Sequence, residues 1–212
     1  MLKKYDVIQQ CSVSHFVSHL RIKSIPRPAL GKVSKGEKMT QNISQTPIKP
    51  RFGAVENKIA VLFICHGNIC RSTMSQFVFQ DMINKQGLTD QFYIDSAATS
   101  REEIGNGPHY GTVAKCREMG IPVLLHKAVQ MTKKDYQKYD YLIGMDTWNI
   151  RNMTRIAGGD PDRKIYKLLE FADLSEDIAD PWYTGNFDET YADVQKGCTA
   201  FLEYLKRNGK IR

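Results

Sequence analysis

Cys65 and Arg71, with His66, Gly67, Asn68, Ile69 and Cys70 between them, are the residues whose types and spacing can do chemistry. This pattern is what a thiolate that cleaves phosphate esters needs. A short loop can wrap its backbone N–H groups around a tetrahedral dianion, and a helix that follows points its positive end at the same place. Gly67 and Asn68 suit such a wrap because both tolerate the left-handed conformations that turn consecutive N–H groups inward. The Arg71 guanidinium offers a two-pronged grip on phosphate oxygens. The same positive field favours the thiolate form of Cys65, the candidate nucleophile. Cys70 lies five positions away in a loop that curls back on itself, which makes it a candidate disulfide partner for Cys65 under peroxide.

The elements around the loop fit this chemistry. Ile59 to Ile64 are six apolar residues in a row, the mark of a strand buried on both faces. After Arg71 and Ser72, Met74, Phe77 and Val78 recur at helical spacing. The layout is strand, tight loop, helix. Two other readings of the loop are weaker. A structural zinc site needs four ligands, and no second Cys or His pair at ligand spacing follows Cys65, His66 and Cys70. An ordinary turn with buried cysteines has no need of glycine, asparagine and arginine at these offsets.

The run from Cys65 to Ser72 resembles the signature of the low-molecular-weight protein tyrosine phosphatases: a cysteine, one variable residue, then Gly-Asn-x-Cys-Arg-Ser after the first strand. Further landmarks of that family follow in order: DSAATS at Asp95 to Ser100, EIGN at Glu103 to Asn106, GIP at Gly120 to Pro122, MD at Met145 and Asp146, and DPWY at Asp180 to Tyr183. The resemblance covers Lys58 to Arg212. It implies phosphotyrosine-containing proteins as substrates, inorganic phosphate as product, a phosphocysteine intermediate, and neither cofactor nor metal. It implies that His66 to Arg71 bind the phosphate. Asp180, 115 positions after Cys65, would be the general acid and base, where the residues alone allow a plain Asp-Pro turn. Trp182 and Tyr183 would wall a slot for the phenol ring, with Ile69 at its mouth. In support, Ser72 would bond the Cys65 sulfur and Asn68 would brace the loop. His126 would partner Asn68, orienting it without transferring protons, with Asp146 nearby. Three positions stand out. Thr73 replaces the usual Pro, Val129 replaces an Arg that forms an ion pair in relatives, and His66 fills the variable position.

Composition narrows the alternatives. The 212 residues, 42% hydrophobic and 25% charged, suit a globular domain, and no run reaches transmembrane length. Of 30 Lys and Arg and 23 Asp and Glu, residues 1–57 hold ten and three, which leaves twenty of each for 58–212. The basic charge therefore sits in a proline-containing, acid-poor N-terminal extension, expected to be disordered, and the domain is neutral. A nucleic-acid module usually carries a net basic footprint, so that class is disfavoured. Five cysteines spread along the chain argue against a secreted disulfide framework and for the cytoplasm.

The remaining elements alternate. Strands are expected at Phe92 to Ala97, near Val123 to Leu125, at Tyr139 to Met145, and possible at Ile165 to Phe171. Helices are expected to Lys85, over Thr112 to Met119, after a capping box at Thr132 and Asp135, around Ile150 to Ile156, and along Tyr191 to Leu205. Such alternation implies an α/β, doubly wound parallel sheet of four to five strands with helices on both faces and its ligand beyond the strands' carboxyl ends. Within this fold an arsenate reductase is a rival, but it needs two more closely spaced cysteines, and Cys116 and Cys198 are 82 positions apart. A protein-arginine phosphatase is a second rival, and a catalytically idle phosphotyrosine-binding module a third.

Overall fold

The computed structural model describes residues 57–212; the N-terminal extension read from the sequence lies outside the described residues but for Asn57. The apolar run forms strand β1 (Ile59–Cys65) at the centre of a four-stranded sheet, between β2 (Phe92–Ala98) and β3 (Tyr141–Gly144), with β4 (Ile165–Lys167) outside β3. Every pairing is parallel, with Phe63 level with Ser96 on one side and Ile143 on the other.

A strand packed on both faces alternates between two cores. Val61, Phe63 and Cys65 join one, beneath helices α1 (Arg71–Lys85) and α6 (Phe187–Arg207). Ala60, Leu62 and Ile64 join the other, beneath α3 (Lys133–Lys138) and α4 (Thr147–Ala157). Two further helices, α2 (Tyr110–Glu118) and the four-residue α5 (Pro181–Thr184), border the rim at the strands' carboxyl ends. The expected stripe on α6 is real: Val194, Cys198, Phe201 and Leu205 are buried, with Tyr191 half-buried. Gly197 lets that helix approach Leu168 closely, since a Cβ there would lie 2.5 Å from Leu168 Cγ.

Local signals set several boundaries. Thr132 N–H donates to Asp135 Oδ2 at 2.6 Å and opens α3. Gly158, at φ 85°, closes α4. The expectation of a strand near Val123 to Leu125 is incorrect. That run is irregular, Leu125 is fully exposed, and the chain meets the edge of β2 only at Gln130, through a single bridge to Ala98. Three apolar residues after Pro122, with the outer one in solvent, have no second face to bury and gain nothing from pairing. The run from Ile165 also divides, into β4 and a 3-10 turn at Leu168–Ala172. No helix among the described residues is long and apolar enough to cross a membrane.

Candidate active site

The loop from β1 to α1 is shaped by Asn68, which is fully buried with φ 60°. Its amide satisfies three partners: Nδ2 donates to Ser72 Oγ at 3.0 Å and Ser96 Oγ at 2.9 Å, and Oδ1 accepts the Val129 N–H at 3.1 Å. Its carbonyl accepts from His126 Nε2 at 2.8 Å. Burial pushes the His126 pKa below the ordinary histidine value, against the opposing pull of that carbonyl and of Asp95. A neutral ring that orients the loop is the consequence.

The same network reaches the sulfur. Ser72 Oγ already accepts from Asn68, so its own proton is free for Cys65 Sγ, 3.1 Å away. Asn68 N–H points at Sγ from 3.3 Å. Ser96 in turn donates to Gln76 Oε1 at 2.6 Å. Replacing Asn68 by Ala would leave several buried partners unmade and place a Cβ-only residue at positive φ. Asn68→Ala should therefore lower unfolding stability by about 2–4 kcal/mol. Denaturant titration measures this, and a loss under about 1 kcal/mol would mean the network does not hold the loop.

Arg71 opens α1 and is buried between two carboxylates. Nη1 donates to Asp146 Oδ2 at 2.5 Å and to the Ile178 carbonyl at 3.1 Å, while Nη2 donates to Asp180 Oδ2 at 2.5 Å. Its Nε is buried and has no partner among the described residues. Burial works against the charge, but Cys65, Asp180 and Asp146 outweigh it and raise the Arg71 pKa, so the guanidinium stays charged. Asp146 and Asp180 are each fixed as a helix cap: Asp146 Oδ1 accepts from Asn149 N–H at 2.6 Å, and Asp180 Oδ1 from Trp182 N–H at 3.1 Å. Asp146 thus braces Arg71, not Asn68.

Above the loop lies a cleft with Cys65, Ile69 and Cys70 at its floor and Asp180 at its side. Trp182 and Tyr183, 56% and 82% exposed, form one wall, and Glu102 and Glu103 the other. His66 sits at the rim, where Nε2 pairs with Glu102 Oε2 at 3.0 Å. Ile69 lines the cleft but is mostly buried against Cys70, Ala128 and Phe187. Val129 meets Asn68 through its backbone, a bond indifferent to the side chain that replaces the family's Arg. Thr73 is buried and its hydroxyl has no partner among the described residues. Cys116 and Cys198 are buried on α2 and α6, apart from the cleft floor.

Residue types and spacing alone do not signal the Asp180 contact with Arg71, the Gln76 link, the Ile178 carbonyl or the Glu102 and Glu103 wall. An asparagine in a tight loop needs partners for its amide, and the structure supplies Ser96, in β2, as one of them.

A thiol that begins a tight loop at the end of a central parallel strand, beside a charged arginine that opens the next helix, defines a protein of the cysteine-dependent oxyanion-binding class. The family model for low molecular weight phosphotyrosine protein phosphatase matches residues 60–211. A Bacillus subtilis low molecular weight protein-tyrosine-phosphatase, YfkJ, is 37% identical over 155 residues, 72% of this chain and 99% of that one. The human low molecular weight phosphotyrosine protein phosphatase is 38% identical over 149 residues, 68% and 94% of the two chains. The crystal structure of YfkJ superposes with a TM-score of 0.69 at 38% identity, covering 71% of this chain and 96% of the other. A Drosophila arginine phosphatase superposes at 0.64 with 26% identity, covering 69% and 97%. The chain belongs to the low molecular weight phosphotyrosine protein phosphatase family.

Proposed function

We propose that this protein hydrolyses phosphotyrosine in proteins through a phosphocysteine intermediate. The observation that carries the reading is Arg71, charged and buried beside Cys65, with an unpartnered Nε and with Asp180 on Nη2. A phosphate held by Nε and Nη2 takes the place of Asp180 there and frees Oδ2. In the first step the Cys65 thiolate forms a bond to phosphorus, the bond to the tyrosine oxygen breaks, and Asp180 gives its proton to the departing phenolate. In the second, water attacks phosphorus, Asp180 takes its proton, the S–P bond breaks, and inorganic phosphate leaves with the thiolate restored. His66 to Arg71 cradle the phosphate throughout, and Ser72, His126 and Asp146 hold the cradle. The four described cysteines are unpaired thiols, in keeping with a reducing cytoplasm.

The choice of phenol over guanidine rests on Ile69 and the Trp182 and Tyr183 wall. A flat ring packed between them gains about 1–2 kcal/mol over a solvated guanidinium, or about 5- to 30-fold. Matched phosphotyrosine and phosphoarginine peptides test this directly: kcat/KM should favour phosphotyrosine, and Ile69→Thr should shrink the ratio. A parent enzyme that prefers phosphoarginine would overturn the assignment.

Cys70 would serve as the redox partner. Burial first, then the neighbouring Cys65 and Asp180, push its thiol pKa up to about 12, so it stays protonated while the Cys65 sulfur attacks a peroxide oxygen, breaks the O–O bond and becomes the sulfenic acid. Oxidised Cys65 then exchanges its hydroxyl for the Cys70 sulfur, releasing water and closing a reducible disulfide. Activity should return with thiols in the parent and recover far less in Cys70→Ser; equal recovery in both would remove this role.

A further inference from the structure

His109 joins three parts of the rim. Its backbone N–H donates to the Ile69 carbonyl in the phosphate loop at 2.8 Å. Its Nδ1 accepts the Gly111 N–H at 3.1 Å and caps α2. Its ring lies flat on Phe187, the first residue of α6, with centroids 5.2 Å apart and planes 5° from parallel. The ring also meets Trp182 edge to face at 5.6 Å. Trp182 stands two residues beyond Asp180, and its N–H holds Asp180 Oδ1. Gly111 makes room for the stack, because a Cβ there would come within 2.4 Å of the Phe187 ring.

The cap and the stack together ask for a histidine. A short amide or hydroxyl could cap the helix but would offer Trp182 no ring, and a phenylalanine could stack but would leave the Gly111 N–H without its acceptor. With Nδ1 accepting, Nε2 is the ring nitrogen left to carry the N–H.

We propose that His109 is a positioning residue for the general acid: it fixes Trp182, and through it the Asp180 carboxylate, relative to the loop that holds Cys65. The assignment rests on the phosphatase reading above. Its effect falls chiefly on proton donation, so it is larger for substrates whose leaving group needs a proton.

The test compares kcat/KM for phenyl phosphate and for p-nitrophenyl phosphate, whose more acidic leaving group needs less help from a proton, in the full chain. His109→Asn keeps the cap and removes the ring. It should lower kcat/KM for phenyl phosphate by about 3- to 10-fold, the worth of an aromatic contact, and that for p-nitrophenyl phosphate by less than about 2-fold. His109→Phe should keep the parent ratio of the two substrates while lowering the thermal midpoint. Equal losses on both substrates in His109→Asn, or no loss on either, would overturn the assignment. Trp182→Ala guards against a misfolded His109 variant: beyond the aryl packing it takes from both substrates alike, it must lower kcat/KM further for phenyl phosphate than for p-nitrophenyl phosphate, and an equal loss on both refutes the route through Trp182. A parent that turns over neither substrate would instead sink the phosphatase reading itself.

Discussion

Cys65→Ser should abolish turnover of aryl phosphates, with a fall of at least about 10⁴-fold, while leaving oxyanion binding in place. The hydroxyl is a far poorer nucleophile than the thiolate, and nothing near it is positioned to take its proton. Ser72 Oγ and the Asn68 N–H both point toward the sulfur as donors. Arg71 and the loop are untouched by the change, so inorganic phosphate should still protect the variant from thermal unfolding. Steady-state assays together with a phosphate-dependent melting series make the comparison. Residual turnover near the parent's would refute the phosphocysteine mechanism, and loss of phosphate protection would refute the assignment of the loop as the binding cradle.

Asp180→Ala should lower kcat/KM for phosphotyrosine by about 10²- to 10⁴-fold, the range for a lost general acid. The loss should shrink as the leaving phenol becomes more acidic, because such a phenolate departs unprotonated. The substitution also removes the carboxylate from Arg71 Nη2, so phosphate should inhibit the variant at least as strongly as it inhibits the parent. A series of substituted phenyl phosphates separates these effects. A uniform loss along the series would show that Asp180 shapes the site and does not supply the proton.

Much of this arrangement could be read from residue types because its key parts are local. A strand with no polar alternation, a loop of glycine and asparagine, and an arginine at a helix start all act within about a dozen residues, and β1, the loop and α1 appear where those signals place them, though Asn68 alone, not Gly67, takes the left-handed backbone. The ordered landmarks from Asp95 to Tyr183 supplied Asp146 and Asp180, which no local pattern would have linked to Cys65. What stayed hidden depends on long-range placement. Val123 to Leu125 looks like a strand by composition, yet whether an apolar run pairs depends on the edge it meets, and β2 is met only at Gln130. The three partners of the Asn68 amide come from α1, β2 and the segment after His126, so the demand was visible in one residue and its answer was not. His109 is the clearest case. A lone histidine after a proline carries no signal until Phe187 and Trp182 close on its two sides.

The pairing of Arg71 with Asp180 bears on how the site responds to ionic strength. A dianion that meets a bare cation gains a Coulomb energy that dissolved ions weaken, and its affinity then falls steeply as salt is added. On the proposed mechanism the dianion trades places with a carboxylate already at contact distance, so what counts is the difference between two attractions of similar range. Dissolved ions screen both members of that difference, and Arg71 is too deeply buried for them to reach it readily. On that mechanism, occupancy of the loop should follow the oxyanion's own concentration and shape more than the surrounding electrolyte.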